Sequence, residues 1–197
     1  MPDVDPQLMA AALEVFREYG YGSTTLELVA QRSKTPLDQV RQQYADKDKL
    51  LAALLSTYSP LASLLHALDS VEGDSAEEIV RDAMRRTVKA IQQHEQFIEL
   101  AAIDLQVNNG NFLAGISMQI LPKALEMLER LKSTGQLRPV SDLILARTIV
   151  SLLMGFVLSE QAMPQVARMA MRLFPQRAWL DGATDLLLYG ILEDDAR

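Results

Sequence analysis

The chain has 197 residues, 49% of them hydrophobic, a formal net charge of −7 and no cysteine. This length and apolar content exclude a disordered polypeptide and allow one sizeable core or two small ones. The missing cysteines exclude disulfides and thiolate metal sites and suit a reducing cytosol, and the acidic balance confines any nucleic-acid surface to a local patch.

The first helix is expected over Pro6 to Tyr19, where Leu8, Ala12, Val15, Phe16 and Tyr19 form one stripe and Gly20 stops it. Asp3 and Asp5 precede it with no basic run, so no secretory signal is read and a cytoplasmic location is expected. From Gly20 to Leu51 the pattern is two short helices and the start of a third. Thr24 is placed to cap the first, with Glu27 closing a capping box, and Leu26, Val29 and Ala30 recur at helical spacing. Arg32, Ser33 and Lys34 carry a turn. Thr35 is then placed to cap the second helix, with Pro36 in its first position and Asp38 repeating the box. Val40 and Tyr44 face inward, and Leu37, Asp38, Arg41 and Gln42 face outward. Asp46 caps the helix that begins at Lys47. Two capped helices a few residues apart, the second with a polar outer face, describe a helix-turn-helix. Residues 1–50 hold six basic groups against eight acidic ones, with five of the six basic groups between Arg32 and Lys49.

The helix from Lys47 reaches Tyr58, and Pro60 interrupts it before Leu61 to Leu68. After the loop Ser70 to Ser75, Ser75 caps a helix to about His94. Its outward Arg81, Arg85, Arg86 and Lys89 read as a solvated face. Glu95 to Val107 is the next helix, ended by Asn108-Asn109-Gly110, and Asn111 is placed to cap a long one to Ser133 that contains Pro122. Ser141 to Gln161 is hydrophobic nearly all round, which implies burial on more than one side. Helices over Gln165 to Phe174 and Gln176 to Leu192 close the chain. The longest apolar run, Ile149 to Leu158, is too short to span a bilayer, so no membrane partner is expected.

The residues Thr24-Thr25-x-x-x-Val29-Ala30, then Val40, Tyr44, Lys47 and Leu50, preceded by Ala12 to Tyr21, resemble the DNA-binding domain of TetR-family transcriptional regulators over roughly the first quarter of the chain. The resemblance implies an all-α protein. Residues 1–50 would be a three-helix helix-turn-helix DNA-binding domain, and residues 51–197 a helical ligand-binding and dimerisation domain. It implies contacts to a double-stranded, palindromic operator from Thr24, Thr25, Lys34, Thr35, Leu37, Asp38, Arg41, Gln42, Tyr44 and Lys47. Three positions depart from the family pattern: Lys34 stands where glycine is usual, Arg41 where an aromatic is usual, and Glu27 where a basic or neutral group is usual. The resemblance also implies a cavity for a small apolar ligand among the central helices. Its expected lining is Met84, Phe97, Phe112, Met118, Met127 and Met154, with Tyr58, His66 and His94 as orienting polar groups. The last helices would form a homodimer through Leu153, Val157, Leu187 and Ile191.

Chemistry has little to stand on. His94, Glu95 and Glu99 lack the HExxH spacing, and no nucleophile elbow, phosphate loop or dinucleotide glycine pattern is present, so neither metal nor cofactor is expected. The reading is a DNA-binding regulator, a repressor released by its ligand. A helical ligand-binding or scaffold protein that has lost operator binding is the alternative, and a small helical enzyme the weakest.

Overall fold

The computed structural model describes residues 5–162, 164, 169 and 175–191. The regular elements among them are helices: α1 (Pro6–Ser23), α2 (Leu26–Ser33), α3 (Leu37–Gln43), α4 (Lys47–Thr57), α5 (Leu61–Asp69), α6 (Ala76–Gln92), α7 (Glu95–Val107), α8 (Asn111–Ser133), α9 (Asp142–Ala162) and α10 (Gln176–Ile191). The helix expected over Gln165 to Phe174 lies, apart from Met169, outside the described residues.

The chain divides into two compact units, residues 1–59 with 95–115, and residues 60–94 with 116–197. The units interleave along the chain, and α4 and α7 both belong to the first. Leu50, Leu51, Leu54 and Leu55 of α4 are almost wholly buried, and α4 packs on α1 and α7 inside the first unit. Residues 47–69 are together long and apolar enough to cross a membrane. They are nevertheless two helices, broken between Thr57 and Leu61.

In the first unit, Asp5 caps α1 by accepting from the backbone N–H groups of Gln7 and Leu8 at 2.9 and 3.4 Å. Gly20 does break the helical path, at φ 70°, but one further turn follows to Ser23. That extra turn moves the next cap by one residue. Thr24 is buried and its hydroxyl donates to the Gly20 carbonyl at 2.7 Å, while the exposed Thr25 hydroxyl accepts from Leu28 N–H at 3.3 Å and caps α2. The expected cap at Thr24 is thus corrected to Thr25. Thr35 does not cap α3 either; Pro36 occupies that position and no side chain bonds the first turn. The Asp46 cap of α4 is present, accepting from Lys49 N–H at 2.8 Å.

The start of α8 is held from the preceding helix. The buried Asp104 carboxylate accepts from Phe112 N–H at 3.1 Å and Leu113 N–H at 3.3 Å. Its backbone carbonyl accepts from Asn108 and Gly110 N–H at 2.9 and 3.0 Å. Asp104, and not Asn111, therefore satisfies the orphan donors of α8. A carboxylate three residues before the end of one helix supplies the cap of the next.

In the second unit, α6 packs on α5, α9 and α10. Ile79, Val80, Met84 and Val88 of α6 meet Leu128 and Leu131 of α8, Leu145 of α9, and Leu180, Leu187, Leu188 and Ile191 of α10 in one core. Ser75 and Glu78 form a complete capping box at the start of α6. The arginines of α6 are not a free basic face. Arg81 pairs with Glu77 at 2.8 Å and Asp185 at 2.5 Å, Arg85 with Asp181 at 3.6 Å, and Arg86 with Asp82 at 2.6 Å. Two of these acids lie on α10, so the charges lace α6 to it.

Replacing Asp104 by Ala leaves the α8 amides without their acceptor inside the protein, which costs about 1–3 kcal/mol. Thermal unfolding followed by circular dichroism should show the midpoint lowered by several degrees, with Asp104→Asn intermediate.

Candidate nucleic-acid interface

The motif is built by one turn. Lys34 ends α2 in the left-handed region at φ 58°. Its N–H donates to the Gln31 carbonyl at 3.3 Å, and Thr35 N–H reaches back to Ala30 at 3.1 Å. This pair of bonds is a Schellman arrangement, which normally selects glycine. The turn where glycine is usual is therefore built here on a lysine.

α3 follows with one fully buried side chain, Val40, and ends at the buried Tyr44. The rest of the helix faces out: Asp38, Gln39, Arg41, Gln42 and Gln43 are exposed and Leu37 is half-buried. Gln39 and Gln43 belong to this surface although reading one outward stripe omits them. The signal for them is that a seven-residue helix with a single inward residue leaves a wide outer arc.

Ion pairs shape the charge of this surface. Arg32 is clamped by Glu14 at 3.2 Å and by Glu18, both on α1, and the two carboxylates raise its pKa. Arg41 Nη2 donates to Glu27 Oε1 at 2.5 Å, joining α3 to α2. Glu27 is held by its own backbone N–H, by Thr25 and by Arg41, which together keep its carboxyl below the usual range. The Lys47 ammonium donates to the carbonyls of Tyr21 and Gly22 at 3.0 and 3.2 Å and lies 4.4 Å from the centroid of the Tyr21 ring. Tyr21 stacks on Phe16 and donates to Asp48; burial first, and then that carboxylate, push its pKa up to about 12. Burial, with Asp5 nearby, likewise raises the Tyr44 phenol. Lys34 and Lys49 are exposed and form no ion pair among the described residues.

Of the ten residues assigned to DNA, the structure brings Thr25, Lys34, Asp38, Arg41 and Gln42 to the exposed surface of the motif. Thr35 and Leu37 are half-buried, Lys47 is half-buried and engaged, and Thr24 and Tyr44 are closed in.

The nine residues assigned to a ligand are divided between the two units. Tyr58, Phe97 and Phe112 belong to the first unit, where the two phenyl rings lie 6.3 Å apart. In the second unit Met84 is 2% exposed within the core, Met127 packs against that core, and His66 is exposed. His94 Nε2 is hydrogen-bonded to Ser63 Oγ at 3.0 Å. Met118 is 67% exposed and Met154 also faces out. Helical spacing says that a large side chain lies on a face, not which face borders a cavity. A shallow, open groove of about 270 Å³ between α9 and α10 is lined by Val140, Ile144, Thr148, Leu186, Gly190 and Ile191.

Two of the four residues assigned to a dimer, Leu187 and Ile191, are buried. Leu187 is 7% exposed, and Leu187 and Ile191 point into the core of their own unit, with Leu153 packed against it; the Val157 side chain lies outside the described residues. Leu186, 78% exposed, is the outward neighbour, joined by Trp179 and Tyr189 on α10 and by Leu143, Ile144, Val150 and Met154 on α9.

This is an all-α protein that presents a helix-turn-helix at its N-terminal end. Its fold is that of the TetR-family regulators. The chain superposes on PfmR, a TetR-family transcriptional regulator from Thermus thermophilus, with a TM-score of 0.70 over 94% of this chain and 98% of that one at 17% identity. It superposes on the fatty acid degradation regulator FadR from Bacillus halodurans at 0.67, over 94% and 96%, with 16% identity. SmeT, the repressor of the Stenotrophomonas maltophilia multidrug efflux pump SmeDEF, gives 0.67 over 97% and 91% at 21% identity, and a SmeT–triclosan complex gives 0.64. No family model matches the sequence, and no curated protein matches it.

Lysine in the left-handed turn costs about 1 kcal/mol relative to glycine. Lys34→Gly should therefore raise the unfolding midpoint by about 2–4 °C in calorimetry. An unchanged or lowered midpoint would mean that the lysine side chain offsets its backbone cost.

Proposed function

We propose that this protein is a DNA-binding transcriptional regulator, a repressor, that acts as a homodimer in the cytoplasm and by binding, not catalysis. The observation that carries this reading is the outer arc of α3. Asp38, Gln39, Arg41, Gln42 and Gln43 are hydrogen-bonding side chains of the kind that read base edges, on a helix that a helix-turn-helix presents to a major groove. The Thr25-capped start of α2 and the exposed Lys34 are suited to phosphates. Residues 1–50 would carry these contacts and residues 51–197 the ligand and dimer surfaces. The likeness to regulators, one of them solved with triclosan, supports a small, largely apolar ligand that relieves operator binding.

A second reading has its own support. Among the motif cations, Arg32 and Arg41 are paired with carboxylates and Lys47 sits on carbonyls, which lowers the charge left for DNA. On that reading the chain is a helical ligand-binding or scaffold protein that has lost operator binding. Retention of fragments from a genomic library at low salt separates the two. The regulator reading expects retained fragments that share a palindrome with half-sites about 34–36 Å apart, and Arg41→Ala should abolish that selectivity. A wild-type protein that retains no fragment sinks it.

The homodimer rests on the apolar face left open on α9 and α10. Leu186→Asp should yield folded monomers in sedimentation, because that side chain faces out. Leu187→Asp should instead unfold the second unit, because it places a carboxylate in the core. Folded dimers from Leu186→Asp would place the interface elsewhere.

A further inference from the structure

The Glu27–Arg41 pair joins the two helices of the motif across its exposed surface, with both side chains about half exposed. An ion pair in that setting contributes little to stability, being screened by water and salt. Its consequence is geometric and electrostatic. Arg41 is the one arginine on the outer arc of α3. A guanidinium has five N–H donors in a rigid fork, and Glu27 engages it through Nη2, leaving donors over for a second partner. Glu27 lies in the first turn of α2, directly after its Thr25 cap, so the carboxylate is carried by an anchored stretch of backbone. An arginine held this way loses less freedom on meeting a base edge. It also adds almost no net charge to the sequence-independent attraction of the phosphate backbone, since a carboxylate lies 2.5 Å away.

We infer that Glu27 is a specificity-determining positioning residue: by pairing with Arg41 it fixes the guanidinium for base readout and removes its charge from non-specific DNA binding. This rests on the DNA-binding reading above. Glu27 touches no base in this account; it acts through Arg41.

The test uses full-length protein and a labelled pool of random duplexes of roughly 30 bp, long enough for two half-sites one turn apart. Binding to the pool is titrated at several salt concentrations, and the retained duplexes are sequenced. Wild-type protein is expected to select a motif. Glu27→Gln should bind the unselected pool several-fold tighter, with the slope of log affinity against log salt steeper by about 1. Its selected motif should lose base preference at the positions that Arg41→Gln also relaxes. In an Arg41→Gln background, adding Glu27→Gln should leave the selected motif unchanged. Thermal melts of all variants show that they are folded, and a merely structural role for Glu27 would move the melt and not the motif. If wild type selects a motif and Glu27→Gln selects the same one with the same salt slope, the inference falls while the regulator reading stands. If wild type retains no duplex even at low salt, both fall.

Discussion

Helix α3 has only seven residues and no side-chain cap, so it cannot hold its shape alone. Burial of Val40, the closing of its end by Tyr44 and the Schellman turn at Lys34 give it a fixed place on α2. The outward face of α3 depends on that arrangement. Once the single inward side chain is set, the periodicity of 3.6 residues per turn sends the remaining polar residues outward together.

The charges of the motif serve the fold before they serve a partner. Arg32 ties α2 to Glu14 and Glu18 of α1, Arg41 ties α3 to Glu27 of α2, and Lys47 ties α4 to the carbonyls at the end of α1. Three of the cations that would mark a basic patch in sequence are therefore cross-links. This explains how an acidic chain can carry a helix-turn-helix with no excess of positive charge over it: the local field is set by which cations remain unpaired, not by their number.

The second unit uses α6 as its organising helix, apolar toward α9 and α10 and laced to α10 through Arg81 and Arg85. Its core uses one side of α9 and α10. The other side, with Leu143, Val150, Leu186 and Tyr189, remains apolar and exposed, an area that water disfavours. The groove between these helices lies on the same face.

Much of this was legible in the amino-acid sequence. Apolar spacing, the Asp46 and Ser75 caps and the turn chemistry around Lys34 determine an all-α chain with a helix-turn-helix near its start, because these are local signals with local physical causes. Three kinds of detail were decided only in the tertiary structure. Thr24 and Thr25 are equally good caps, and the turn that α1 adds beyond Gly20 buried the first and left the cap to the second. Leu186, Leu187 and Leu188 are identical in the sequence, and packing against α6 sent two of them inward and one out, since neighbouring helical residues diverge by about 100°. Glu27 and Arg41 are fourteen residues apart, too far for any helical rule to pair them, and they meet because the turn at Lys34 folds α3 back across α2.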